Sequence, residues 1–266
     1  MTFRTVAVVV AAALALSACQ ESTSNPGGLA GDQRRRADQL VSIFENGSTT
    51  IAYDYAANLH DGRGVTAGRA GFTTSDGDAL RVITAYTAKI PGNPLARFTS
   101  ELQRLADGNE DTSELPEADY IAAWRQAAAD LAFRQVQDEQ VDQRYFQPAM
   151  AAAGQLGLTT ALARAELYDA SIQHGTGTDH DALPALISRT NDAVGTPARA
   201  GERAWLDAFL TVRADDLRHP ANKATQEEWA QSVDRVDCVR RIAESGNLAL
   251  DAPLSVTAFG SSYNIG

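Results

Sequence analysis

Apolar residues recur every three or four positions through most of this chain, the spacing that places them on one face of an α-helix. The first such stretch begins at Asp32, a residue able to cap a helix, and ends at Asn46-Gly47, a strong stop signal. Further helices are predicted from Asp78 to Pro91 and at 95–105, 117–139, 141–155, 159–173, 182–193, 200–217 and 225–245. We expect the longest of them, 117–139, to join two lobes.

One short region departs from the helical pattern. Ile51, Tyr53 and Tyr55 alternate with other residues, as in a half-buried strand. The glycine-rich segment 60–64 follows and favours a tight turn, and the tail from Asn247 is expected to be strand or coil. The pattern therefore predicts a mainly α (α+β) protein with a small β-hairpin region.

The N-terminal segment has the layout of a signal peptide, because residues 1–18 place a single arginine ahead of a run of small apolar residues. The run is too short to span a bilayer comfortably as a helix of the mature protein. It ends in the sequence LSAC, which resembles a bacterial lipoprotein signal in which Cys19 is lipidated and anchors the protein. The alternative is an ordinary secretory signal with an incidental cysteine. Residues 19–31 are polar and glycine-rich, which predicts a flexible tether.

The net charge of the chain limits the kinds of molecule that it is suited to bind. The chain has a formal charge of −11, and loss of residues 1–18 would remove one positive charge. An exported protein this acidic is poorly suited to nucleic acid or to anionic lipid, and well suited to a cationic polymer. The alternative is that the charge serves only solubility. Residues 32–266 are long enough to form one domain with a sizeable core.

Cysteine and histidine usage predicts neither a disulfide nor a metal site. Only Cys238 remains after Cys19, and its helical surroundings indicate a small buried residue rather than a nucleophile. No cysteine or histidine cluster has the spacing of metal ligands, and no Walker-type phosphate loop is present. We therefore expect no cofactor.

Two carboxyl groups are candidates for acid and base chemistry. Glu45 stands at the end of the first predicted helix, where the negative end of the helix dipole should raise its pKa. Asp61 stands among the backbone N–H groups of the glycine turn, beside Arg63, and both surroundings should lower its pKa. Two acids with opposed pKa shifts suit glycosidic hydrolysis, which needs one protonated and one ionised carboxyl. The alternative is a helix end followed by a surface hairpin.

Around these residues the chain resembles the chitosanases of glycoside hydrolase family 46. The matching pieces are E-N after an amphipathic helix, D-G-R-G-x-T, G-F and G-D, followed by PGNPLARF, AAWRQAAADLAFRQVQ, RYFQPA, LYDASIQHG, FLTVR, RV and GNLALDAPL. They cover nearly everything from about Asp32 onward, in the family's order. Val65 stands where an aromatic residue is usual and Ala67 where glycine is usual. The interval between Glu45 and Asp61 is about two residues shorter than in the best-known members.

The resemblance implies a lysozyme-like, two-lobed fold with a substrate cleft between the lobes. It implies endo-hydrolysis of the β-1,4 links between glucosamine units of chitosan, with inversion at the anomeric carbon. Glu45 would act as the general acid and Asp61 as the general base, and Thr66 would position the water. Thr66 could equally be an ordinary strand residue.

The resemblance also implies residues that contact the sugar and residues that support the acid. The substrate-binding candidates are Arg63, Asp78 and Tyr55, although Asp78 could instead cap a helix and Tyr55 could belong to the hairpin core. The resemblance further implies a buried ionic network of Asp169, Arg213 and Arg235 behind Glu45.

Two other functions stay open from the residues alone. One is a lysozyme-like muramidase, which the negative charge disfavours because the bacterial wall is itself anionic. The other is a surface lipoprotein that binds a cationic polysaccharide without cleaving it. In each case we expect an exported monomer that meets the membrane only through Cys19.

Overall fold

Helices dominate the computed structural model, which describes residues 28–60, 62–108, 115–223 and 226–266. The α-helices of this part of the chain are α1 (Gly31–Asn46), α2 (Asp78–Lys89), α3 (Thr99–Ala106), α4 (Glu117–Ala127), α5 (Leu131–Val141), α6 (Gln147–Leu156), α7 (Ala161–His174), α8 (Leu183–Val194), α9 (Pro197–Ala200), α10 (Glu202–Arg218), α11 (Gln226–Gln231) and α12 (Val233–Glu244). A 3-10 turn at Ala96–Phe98 leads into α3, and a π-helical turn at Asp142–Phe146 joins α5 to α6.

Two small antiparallel sheets complete the fold. The first has three strands in the order β1 (Ala56–Asn58), β2 (Val65–Ala67) and β3 (Phe72–Thr73). The second is a C-terminal hairpin of β4 (Leu254–Ala258) and β5 (Ser261–Ile265). The mainly α prediction with a small β region is therefore confirmed.

Helix α1 carries Glu45 in its last turn, as its sequence pattern predicts. Its apolar stripe is buried, and the helix ends where Gly47 adopts φ +63° and donates its N–H to the Ile43 carbonyl at 2.9 Å. A left-handed residue at this position favours glycine, which explains the stop. The start differs from the prediction, because Asp32 lies inside the helix and the side chain of Gln33 accepts the N–H of Ala30 at 3.2 Å.

The predicted long helix at 117–139 is wrong. It is divided into α4 and α5, because the carboxylate of Asp130 accepts the N–H of Ala132 at 2.9 Å and caps a new helix. The other oxygen of Asp130 accepts the hydroxyl of Tyr86 at 2.7 Å. The predicted helix at 225–245 is likewise divided, and α12 begins just after Ser232.

The predicted strand at residues 51–55 is also wrong, since the first strand begins at Ala56. The carbonyl of Tyr53 bonds to side chains instead of a neighbouring strand: it accepts Trp124 Nε1 at 3.0 Å and Gln137 Nε2 at 3.1 Å. Side-chain donors thus replace a strand partner here.

The helices form two packed groups, and the three-stranded sheet packs on the first of them. Helix α2 packs on α3, α5 and β3, and α4 packs on β1 and β2. On the other side, α10 packs on α8, α11 and α12, and α7 contacts α1, α6, α8 and α12. Within the described ranges, the helices are too short or too polar to cross a membrane. Cys238 is buried in α12, as predicted.

Candidate active site

A groove of about 450 Å³ opens between the small sheet on one side and α7, α11 and α12 on the other. The side chain of Glu45 stands in its wall with 27% of its area exposed. The groove has a mostly polar lining that includes Asn46, Tyr55, Arg63, Thr66, Thr73, Asp76, Asp78, Tyr145, Gln173, Glu228, Trp229 and Arg235. The end of α1 therefore presents a carboxyl group to a space that could hold a ligand.

Arg235 joins Glu45 to a buried carboxylate. Its Nη2 lies 2.8 Å from Glu45 Oε1 and 2.7 Å from Asp169 Oδ1, and its Nε donates to Asp169 Oδ2 at 3.2 Å. Asp169 thus holds the guanidinium by two atoms, which is the strongest geometry for such a pair. Arg235 has a partner in Asp169 whether or not Glu45 is charged.

Arg213 lies behind Asp169 and is completely buried. Its Nη1 lies 2.7 Å from Asp169 Oδ2 and 2.8 Å from Glu166 Oε1. Burial disfavours an ionised Asp169, but Arg235 and Arg213 outweigh it and lower the pKa of this carboxyl. Burial has the larger effect on Glu166 and raises its pKa to about 7 despite Arg213. Within one network, the pKa of Asp169 is therefore lowered and that of Glu166 is raised.

His174 fixes the far side of Arg213. Arg213 Nε donates to His174 Nε2 at 3.2 Å, so the ring hydrogen belongs on Nδ1, which lies 3.0 Å from the Asp181 carbonyl. Burial lowers the pKa of His174 and favours this neutral form. Arg213 Nη2 also donates to Gln173 at 2.7 Å.

The opposite wall of the groove is formed by neighbouring strands. Thr66 on β2 and Thr73 on β3 are directly paired, and both residues are buried. Among the described residues, neither hydroxyl has a hydrogen-bond partner, and neither does Asn46 Nδ2. Within the described residues, three polar groups without partners therefore line the groove that holds Glu45.

The predicted sugar-contacting residues all line this groove. Tyr55 lines it from just before β1, and Arg63 Nη2 lies 3.7 Å from Glu228 Oε1. Asp78 is the first residue of α2 and its carboxylate pairs with Arg81 and Arg144. The helix cap proposed as its alternative role is not formed, because the residue at the cap is Gly77 and no side chain caps the helix.

Asp61 and Cys19 lie outside the described residues, as do residues 1–27 as a whole. The distance between Glu45 and Asp61 and the opposed pKa values of these two acids stay predictions. The structure does bring Glu45, Asp169, Arg213 and Arg235 into one connected network, and it places Thr66 across the groove from them.

Comparisons with known proteins agree with this geometry. Residues 39–254 match the sequence profile of glycosyl hydrolase family 46. The chain belongs to glycosyl hydrolase family 46. It is 51% identical over 232 residues to a chitosanase of Bacillus subtilis (strain 168). The aligned residues cover 86% of this chain and 83% of the relative.

Solved structures of the family share the fold. A native chitosanase from Bacillus subtilis MY002 matches with a TM-score of 0.85 and 49% identity, covering 90% of this chain and 100% of the other. A family 46 chitosanase of Gynuella sunshinyii in complex with chitotetraose matches with a TM-score of 0.83 and 45% identity, covering 90% and 99%. A mutant of the MY002 enzyme was solved with 6 GlcN bound, at 48% identity and a TM-score of 0.85 over 90% of this chain and 100% of that one. This family 46 chain is therefore a glycoside hydrolase with the lysozyme-like fold.

The family 46 site contains residues that the sequence did not single out. Glu166 lies one turn before Asp169 on α7, so its helical spacing was the only signal available. A second network, equally unpredicted, is centred on Asp38, about two turns before Glu45 on α1. There Asp38 accepts Arg34 Nε at 2.9 Å, Arg69 Nη2 at 2.8 Å and the Tyr168 hydroxyl at 2.9 Å.

One group of potential metal ligands also escaped the sequence pattern. Donor atoms of His180, Asp181 and Asp216 lie within 4.8 Å of one another, although Asp216 is far from the other two residues in sequence. Protein groups already bind both acids: Asp181 accepts the N–H of Ala221 at 3.0 Å, and Asp216 pairs with Arg189. These contacts explain the group as an anchor for the segment after α10.

Proposed function

We propose that this chain is an endo-acting chitosanase that hydrolyses the β-1,4 links between glucosamine units with inversion. The observation that carries the proposal is the groove itself, in which Glu45 is joined by Asp76, Asp78 and Glu228. A carboxylate-lined groove suits a cationic sugar polymer. The chitosanases of Bacillus subtilis and Gynuella sunshinyii, close in sequence and fold, support the same substrate.

The proposed mechanism gives each acid one task. Glu45 protonates the leaving oxygen, and Asp61 removes a proton from water on the opposite face of the sugar ring. Inversion requires room for that water, so the two carboxyls should stand roughly 6.5–9.5 Å apart on bound substrate. Thr66 holds the water through its hydroxyl.

The network behind Glu45 makes the change of charge on this acid possible. When Glu45 is protonated, Arg235 loses one anionic partner but remains bound by two atoms to Asp169. A buried cation without a partner would cost several kcal/mol. Asp169 therefore allows Glu45 to gain and lose its proton while Arg235 stays in place.

The test uses Glu45→Gln and Asp61→Asn, which keep shape and remove the titrating group. Each should abolish release of reducing ends from chitosan without changing the melting temperature by more than a few degrees. Glu244→Gln is the matched control, because Glu244 is an exposed acid that ends α12 away from the groove. Full activity in both active-site variants would contradict the mechanism.

Two further measurements separate the proposed activity from the alternatives. Proton NMR of fresh products should show the α-anomer first if the reaction inverts. Hydrolysis of cell wall but not of chitosan would identify a muramidase. Binding of chitosan without products would identify a binding protein.

We also propose that the enzyme is exported as a lipid-anchored monomer. Residues 1–18 would be removed and Cys19 lipidated, and the segment between Cys19 and the start of α1 would act as the tether. A polymer cannot readily enter a cell, so its hydrolase must work outside. Cys19→Ala should release the protein from the membrane fraction into the medium, and an unchanged distribution would contradict the anchor. Light scattering of the purified domain tests the monomer.

A further inference from the structure

We propose that Thr73 is a second water-positioning residue, acting beside Thr66 on the same attacking water. This inference rests on the proposed chitosanase activity and deepens it. Thr73 is 3% exposed and Thr66 is 8% exposed, so both hydroxyls are withdrawn from bulk solvent. Both residues nevertheless line the groove that holds Glu45.

The register of the sheet places the two side chains together. Thr66 on β2 and Thr73 on β3 are direct cross-strand partners. Directly opposed residues of antiparallel strands project from the same face, with their Cβ atoms about 4.5–5.5 Å apart. The two hydroxyls are too far apart to bond to each other, since neither has a partner among the described residues. One small polar molecule between or beside them could bond to both.

Burying these two hydroxyls without partners costs free energy, which indicates that they have a function. A buried hydroxyl without a partner is unfavourable, whereas valine would fill the same space without a polar atom. Two such hydroxyls occur side by side, at the groove, in a sheet of only three strands. No described protein group reaches them, and both residues line the groove, so we assign the partner to the groove. Water is the smallest candidate, and the proposed reaction needs a held water on this wall.

The neighbouring residue Thr74 provides a matched control. Thr74 is also buried, but its Oγ1 accepts the N–H of Val65 at 3.1 Å, and it does not line the groove. Thr73 and Thr74 are therefore adjacent threonines in one segment: the hydroxyl of Thr73 has no partner among the described residues, whereas that of Thr74 bonds to the backbone of β2.

The experiment compares Thr73→Val, Thr73→Ser and Thr74→Val in the full chain, with chitosan hydrolysis and thermal melts. Thr73→Val should lower kcat about 3- to 10-fold, the equivalent of one lost hydrogen bond in the transition state. Its KM and melting temperature should stay near those of the wild type. Thr73→Ser should recover kcat. Thr74→Val should show the reverse pattern, a lower melting temperature with kcat retained.

A double variant tests whether one water is shared. If Thr66 and Thr73 hold the same water, kcat of Thr66→Val/Thr73→Val should exceed the value expected from multiplying the two single losses. Unchanged kcat in Thr73→Val, or a raised KM at constant kcat, would overturn the inference, the latter by assigning Thr73 to the sugar. If the wild type itself does not cleave chitosan, the proposed function fails and this inference fails with it.

Discussion

Removal of the charge on Asp169 is the sharpest perturbation of the network behind Glu45. Asp169→Asn preserves the shape of the side chain and one acceptor oxygen. It replaces the other oxygen by an NH₂ group, which must face an N–H of Arg235 or Arg213. Of the anionic partners seen in the described part of the chain, Arg235 then keeps Glu45 and Arg213 keeps Glu166.

The expected loss follows from the burial of these groups. The side chains of Asp169 and Arg235 are 3% and 5% exposed, so solvent screens their pair very little. Breaking a buried pair on one side costs about 3–5 kcal/mol. For a domain of this size about 1 kcal/mol lowers the melting temperature by about 2–4 °C, which predicts a fall of about 6–20 °C.

The variant should lose activity as well as stability. Without Asp169 the charge of Arg235 is left to Glu45, and an ion pair of this kind holds the carboxylate in the form that cannot donate a proton. Activity should therefore be measured at a temperature well below the melting transition of the variant, so that lost folding does not mimic lost catalysis.

The control for Asp169→Asn is Asp207→Asn on α10. Asp207 pairs with Arg203 at 3.0 Å, and both side chains are about two-fifths exposed, at 42% and 40%. Exposed pairs contribute about 0–1 kcal/mol, so this variant should melt within a few degrees of the wild type. An Asp169→Asn protein with an unchanged melting temperature would refute the network as a source of stability.

Two further predictions concern pH and packing. Burial raises the pKa of Glu166 to about 7 from an ordinary 4.5, so its contribution to stability is complete below about pH 4.5 and is lost as the pH rises through 7. Glu166→Gln should therefore flatten the fall in melting temperature over this interval, and an unchanged slope would contradict the assignment. A Cβ at Gly68, where φ is +73°, would lie 2.5 Å from Gln137 Oε1 and 2.8 Å from Trp124 Cζ2. Gly68→Ala should destabilise the fold by about 1–3 kcal/mol more than Gly260→Ala, which has the same φ but open space around it; equal losses would refute the clash.

Helical periodicity was the most reliable guide that the sequence offered. Most predicted helices appear within a few residues of their expected bounds, because a buried stripe on one face suffices to specify a helix. The errors arose where one side chain overrode the periodicity. Asp130 begins a new helix by accepting a backbone N–H, and Tyr53 finds side-chain donors in place of a strand.

Some residues of the candidate site could be found from the sequence and others could not. Motifs shared with family 46 indicated Asp169, Arg213 and Arg235, and the fold joins these residues to Glu45. Thr73 had no such motif. Its interest depends on strand register and on which hydroxyls lack partners, and neither property can be obtained from local sequence.

Ionic contacts at two positions along α1, its middle at Asp38 and its last turn at Glu45, hold the two walls of the groove in place. Asp38 lies about two turns before Glu45 and binds Arg69, in the turn between β2 and β3, at 2.8 Å. Arg69 in turn pairs with Asp138 of α5, and its backbone N–H donates to Gln137 Oε1 at 3.1 Å. The turn that leads from Thr66 to Thr73 is thus bound to the helix that carries Glu45. Packing alone tolerates small slips between elements, whereas hydrogen-bonded ion pairs have a fixed geometry. We infer that three residues, Asp38, Arg69 and Arg235, together fix the distance between Glu45 and the strands that carry Thr66 and Thr73.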